Sequence, residues 1–72
     1  MSIKVGNSLK VWRAKFDFTQ AELAIQANVS RKTISTLERG VYMPSVGLAL
    51  TLAELFATTV EEVFYLDNNS HK

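Results

Sequence analysis

Five polar residues between positions 31 and 39 offer the groups through which this chain could act: Arg31, Lys32, Ser35, Thr36 and Arg39. If Ser30 to Arg39 is one helix, Ile34 and Leu37 turn inward and these five turn to solvent. None of them forms a nucleophile–base pair, so the chemistry on offer is recognition rather than reaction. A guanidinium matches the O6 and N7 acceptors of guanine with two hydrogen bonds, and an ammonium donates to the same atoms. Arg31 and Lys32, in the first turn, are therefore the candidate base readers. Ser35, one turn beyond Arg31, is a weaker reader or a phosphate donor. Thr33, Thr36, Arg39 and Tyr42 are candidate phosphate contacts, and so is Gln20, at the start of the preceding helix.

The elements that must position these groups are readable from capping and periodicity. Thr19-Gln20-Ala21-Glu22 has the capping-box spacing, with Phe18 and Leu23 at the staple positions on either side. This predicts a helix over about 19–27. Ser30 opens the next helix, about 30–39, with Val29 and Ile34 at the same staple positions. Asn28 tolerates the left-handed conformation that the turn between them needs. Leu23, Ala24, Ala27, Val29, Ile34 and Leu37 face inward, and the small Ala24 lets the two helices cross closely. Two short helices joined by such a turn form a helix-turn-helix, whose second helix enters the major groove while the first crosses the DNA backbone.

With that unit in place, a wider resemblance becomes visible. The stretch resembles the Cro/CI-type, or XRE, family of helix-turn-helix regulators. Leu9, Trp12 and Arg13 resemble its first helix, and Gln20-Ala21-Glu22-Leu23-Ala24 its second. Val29-Ser30-Arg31, Thr33-Ile34-Ser35 and Leu37-Glu38-Arg39-Gly40 resemble its recognition helix. Pro44-Ser45, Leu48-Ala49 and Val60-Glu61-Glu62-Val63-Phe64 resemble its last two. The resemblance runs from Ser8 to about Tyr65. It implies an all-α, five-helix, lambda-repressor-like DNA-binding domain that works as a homodimer. It also implies a phosphate contact by Gln20 and an ion pair between Arg13 and Glu38. In some small members, a strand in the N-terminal arm pairs with residues after the last helix, here Tyr65 to Asp67.

The chain has 72 residues, 47% of them apolar, which predicts one small globular domain. Its expected organisation is an arm over 1–7, the helix-turn-helix domain over 8–66 and a tail over 67–72. In the arm, Ile3 and Val5 alternate with polar residues, as in a short strand or a frayed end. A first helix from Asn7 or Ser8 to Phe16 would bury Leu9, Trp12 and Phe16. Arg13 shares that inner face and needs a partner there. Pro44 and Ser45 start a fourth helix reaching about Phe56, and Thr59-Val60-Glu61-Glu62 reads as a second capping box opening a fifth. Asp17, Asn28 and Ala57 stand where the family commonly ends a helix with Gly. Gly47 lies inside the fourth helix at a cost of about 1 kcal/mol.

Charge and composition set further expectations. Residues 1–40 hold seven Lys/Arg and three Asp/Glu, whereas residues 41–72 hold one and four. The basic charge thus gathers around the helix-turn-helix, which fits a polyanion-binding face and, on charge alone, equally an ordinary solvated surface. Between Val46 and Leu66, 14 of 21 residues are apolar. That is more than one amphipathic face needs, so Leu50, Leu55, Val63, Tyr65 and Leu66 are expected at a dimer interface. The operator would then be an inverted repeat.

Without cysteine there is no thiol nucleophile or thiolate metal site, which suits a reducing cytoplasm. The longest apolar stretch, Val46 to Ala57, is 12 residues and too short to span a bilayer, and the N-terminus does not resemble a signal peptide. The one histidine, His71, sits in the tail, and Glu61 and Glu62 point to different faces. No enzyme, cofactor, metal or small-molecule ligand is expected. Without a second domain in the sequence, a repressor is the expected regulator. The rival reading is a helix-turn-helix protein-interaction module, an antitoxin or adaptor, whose apolar C-terminal half binds another protein.

Overall fold

The computed structural model describes residues 3–67, so the expected tail from Asn68, His71 included, lies outside the described residues. In chain order the elements are β1 (Val5–Asn7), α1 (Leu9–Lys15), α2 (Gln20–Ala27), α3 (Arg31–Glu38), α4 (Val46–Leu55), α5 (Val60–Val63) and β2 (Phe64–Leu66). Among the described residues the regular elements are helices apart from one ribbon. Strands β1 and β2 pair antiparallel, Val5 opposite Leu66 and Asn7 opposite Phe64. Asp67 N–H extends the pairing by donating to Lys4 O at 2.8 Å. The arm is thus a strand where it meets β2. Gly6 has no room for a Cβ, because the ring of Tyr65 lies across it.

Local chemistry starts the helices. At Thr19 both halves of the capping box are made: Glu22 N–H donates to Thr19 Oγ1 (3.0 Å), and Thr19 N–H donates to Glu22 Oε1 (2.8 Å). Ser30 and Ser45 cap α3 and α4 by accepting from Thr33 N–H and Leu48 N–H, each at 3.1 Å. The expected second box is absent. Thr59 makes no side-chain cap, and α5 spans only four residues before the backbone extends at Phe64. Pairing of Phe64 with Asn7 competes with another helical turn there, and the ribbon wins.

Four turns close with a left-handed residue: Asp17, Asn28, Gly40 and Ala57, with φ of 60°, 61°, 73° and 55°. At each, the following residue's N–H reaches back across the turn, as from Val29 to Ala24 O (3.0 Å) and from Thr58 to Ala53 O (2.9 Å). These bonds satisfy carbonyls that the helix ends leave open.

One core unites the elements: Leu9 from α1, Leu23 and Ala24 from α2, Ile34 and Leu37 from α3, Leu52 and Phe56 at α4, with Val63 and Phe64. Each large side chain buried here contributes about 1.5–3 kcal/mol. Val29 packs on this cluster half-buried. Phe56 also gathers three aromatics, with Trp12 stacked at 6.0 Å, Phe16 edge-on at 5.3 Å and Phe18 tilted at 6.4 Å. Phe16, expected inside, is 43% exposed. It follows the last turn of α1 and lies over Phe18 and Phe56 with its outer edge in water. Trp12 is half-buried, and its indole N–H donates to Glu62 O at 3.2 Å. Ser8 Oγ donates to the same carbonyl at 2.8 Å, so the start of α1 is tied to α5.

Candidate nucleic-acid interface

The start of α3 is fixed from two sides. Ser30 Oγ accepts from the Thr33 N–H, and the turn at Asn28 sets the direction of α3 from α2. Arg31 and Lys32 then emerge in the first turn, both exposed. Ser35 and Thr36 follow half-buried, and Arg39 caps the helix, exposed. These residues share the outer side of α3, while Ile34 and Leu37 are buried beneath it.

A polar chain runs from the core to Arg31. Arg13 Nε donates to Glu38 Oε2 at 2.6 Å, and a second guanidinium nitrogen donates to Oε1 at 3.3 Å. The remaining nitrogen donates to Phe18 O at 3.0 Å. The Glu38 side chain is only 7% exposed, so its charge needs all the donors it receives. Gln20 is the next donor, from Nε2 to Glu38 Oε1 at 3.0 Å, while its Oε1 accepts from Arg31 at 3.2 Å. Gln20 therefore joins the buried carboxylate to the exposed guanidinium. One of its two amide protons is used in this way. Residue spacing did not signal this link, because 18 and 11 positions separate its partners.

The flank of α3 is different. Ser30 Oγ and Thr33 Oγ1 are hydrogen-bonded to each other at 3.0 Å. Thr36 Oγ1 lies 3.0 Å from both Lys32 O and Thr33 O. Its proton is thus committed to its own helix, which argues against the expected phosphate donation by Thr36. Thr33 and Thr36, with Lys32, border a notch of about 320 Å³ closed by Val41 and Tyr42. Val41 was not singled out by the sequence reading. An exposed β-branched residue just past a helix-ending Gly was the available signal.

On the opposite half, the expected interface residues separate. Leu50, Tyr65 and Leu66 are 56%, 50% and 64% exposed. Leu55 is half-buried and packs on the core. Val63 is fully buried in the chain's own core, so it is no interface residue. Because α5 is so short, Val63 closes against α1, where its carbonyl accepts from Ser8 N–H at 2.9 Å. Among the described residues, no group of three His, Cys, Asp or Glu could hold a metal ion. No helix among them is long and apolar enough to cross a membrane.

A capped pair of helices meeting at a left-handed turn, with cations in the first turn of the second, defines a helix-turn-helix protein. Comparison with known proteins gives the family. The helix-turn-helix family model HTH_3 matches residues 9–63, and the chain belongs to this XRE-type family. It is 46% identical over 59 residues to an uncharacterized HTH-type transcriptional regulator of Archaeoglobus fulgidus, covering 82% of this chain and 83% of that one. It is 36% identical over 64 residues to the uncharacterized HTH-type regulator YgzD of Bacillus subtilis, covering 89% and 97%.

Solved structures agree in fold. The SOS-response transcriptional repressor LexA of Eubacterium rectale superposes with a TM-score of 0.71 at 31% identity. The match covers 75% of this chain and 57% of that one, so this chain spans little more than half of the LexA structure. A presumed DNA-binding protein of Bacteroides fragilis superposes with a TM-score of 0.76 at 28% identity, covering 85% and 98%. The family is one of DNA-binding transcriptional regulators, which is not an enzyme class.

Proposed function

We propose that this regulator is a sequence-specific repressor that reads the major groove of double-stranded DNA with the helix opening at Ser30. The observation behind this reading is the exposed Arg31–Lys32 pair, held at the start of a firmly capped helix. Arg31, Lys32 and Ser35 are the base readers, and Gln20, Thr33, Arg39 and Tyr42 contact phosphates. Repression is favoured by the likeness to a protein named a transcriptional repressor. The site of action is the cytoplasm.

The working form is a two-fold homodimer joined through Leu50, Tyr65 and Leu66, with the outer edge of Leu55. One helix-turn-helix spans only a few base pairs, so two are needed for tight specific binding. A two-fold interface uses the same patch on both protomers. It would set the two α3 helices about 34–36 Å apart, on an inverted repeat with half-site centres about 10 base pairs apart.

Selection from random duplexes tests the whole reading. Enrichment of an inverted repeat is expected, with affinity falling steeply as salt rises because phosphate contacts release counterions. The exposed apolar side chains Leu50 and Leu66 also suit the rival reading of a protein-interaction module. In that case no sequence would be enriched, and partner binding would change little with salt.

A further inference from the structure

Thr36 stands one turn beyond Lys32 on the outer side of α3, and its oxygen faces its own helix. Both groups 3.0 Å from Oγ1 are carbonyls, which only accept, so the hydroxyl donates to them. A phosphate also offers only acceptors. The oxygen of Thr36 would meet it with lone pairs, and the contact would repel. Cβ of threonine bears two further heavy atoms, and with the hydroxyl engaged the Cγ2 methyl is the group left to Thr36 for a contact in the notch it borders. Beside it, Val41 and the ring of Tyr42 extend the apolar wall of the notch. Thr36, one of the residues expected to bind phosphate, thus offers a methyl group for contact instead.

The major groove has one apolar feature, the C5-methyl group of thymine. We infer that Thr36 is a specificity-determining residue that reads a thymine through methyl–methyl contact. This rests on the proposed reading of DNA by α3 and assigns one base type within it. Lys32, one turn earlier, would donate to an adjacent base or phosphate, so the two residues read neighbouring positions by different chemistry.

The test uses the preferred duplex obtained by selection. Each thymine is replaced in turn by deoxyuridine, which removes only the methyl. Binding is followed by fluorescence anisotropy for the wild-type chain, Thr36→Val and Thr36→Ser. One thymine per half-site should weaken wild-type binding about four-fold when demethylated, the value of one methyl removed from water. Thr36→Val keeps the methyl and should keep both affinity and the thymine–uracil difference. Thr36→Ser keeps the hydroxyl and should lose that difference.

The inference is overturned if every uracil substitution is neutral for the wild-type chain, a result that needs no variant to fold. It is equally overturned if Thr36→Val weakens specific and random duplexes alike while Thr36→Ser does not, which would mean a phosphate contact by the hydroxyl. If selection enriches no sequence, the DNA-reading proposal itself fails and the thymine assignment fails with it.

Discussion

The two halves of this small protein are stabilised by different means. From Arg13 to Arg39, direction is set by polar groups: a full capping box, a serine cap and a hydrogen-bonded chain from Phe18 O through Arg13, Glu38 and Gln20 to Arg31. From Val46 to Leu66 the larger part is apolar burial by Leu52, Phe56, Val63 and Phe64, beside the ribbon bonds and the bonds to Glu62 O. Only the start of α4 has a side-chain cap, the poor helix former Gly47 sits inside that helix, and Ala57 takes a left-handed conformation at its end. Hydrogen bonds fix orientation, which a surface that must meet base edges requires. Apolar packing is tolerant of direction but supplies free energy, which suits a core and an interface between copies.

The largest expected effect comes from charging the apolar half. Leu66 is 64% exposed on β2 opposite Val5, so Leu66→Glu should leave the monomer folded while opposing association. Without the dimer, binding should fall to the non-specific level, roughly 10³-fold or more weaker. Sedimentation velocity at tens of micromolar, wild type against variant, measures the first half of this, and titration of the selected duplex the second. A wild-type monomer together with an asymmetric selected site would defeat the dimer.

Breaking the polar half should cost nearly as much, but in stability. Arg13→Ala leaves Glu38 buried without its main partner, and Glu38→Ala leaves Arg13 with only the Phe18 carbonyl. Each should destabilise by about 3 kcal/mol, with the double variant much less than the sum. Urea denaturation of the four-member cycle checks this, and a coupling near zero would show the two residues acting independently. Arg31 tests the far end of the same chain, where the effect should be on binding instead. Arg31→Ala should cost about 1–3 kcal/mol on the selected duplex and relax the preference at one base position. Gln20→Ala should weaken all duplexes and add a loss on the selected one, since Arg31 then loses its holder. Equal losses on selected and random duplexes for Arg31→Ala would make Arg31 a backbone contact.

What was legible in the sequence follows the same division. The capping box at Thr19, the cap at Ser30 and the left-handed Asn28 depend on neighbours within a few residues, and local spacing reports them. The fifth helix starts where local reading puts it, after Thr59, but its length and its missing side-chain cap were not readable there. Thr59-Val60-Glu61-Glu62 has a capping pattern, but pairing of Phe64 with Asn7, 57 positions away, ends the helix after Val63. Apolar count in that half could not separate a residue facing the core from one facing a partner, which is why Val63 and Leu66 looked alike. At the site, the identities of Arg31 and Lys32 were readable, whereas the Gln20 link and the back-bonded hydroxyl of Thr36 depend on side-chain geometry that no spacing encodes.

The smallest effects should appear where the apolar half departs from good helix chemistry, and they should be gains. At Gly47 an added Cβ would meet nothing nearer than Ser45 Oγ at 4.0 Å, and the position is exposed within α4. Gly47→Ala should therefore stabilise the fold by about 1 kcal/mol, through reduced backbone freedom in the unfolded chain and better helix propensity. Ala57 has the opposite problem, a Cβ where φ is 55°. Ala57→Gly removes a local strain of about 1 kcal/mol but gives back part of it as unfolded-state entropy, so a gain of about 0.5 kcal/mol is expected. Both sites lie outside α3 in the chain, and neither should alter affinity for DNA measured at equal protein concentration. Thermal melts of the two single variants and their combination decide the matter: additive gains fit two independent local costs. A loss at Gly47→Ala would mean that the outer side of α4 is covered in the proposed dimer and has no room for the methyl.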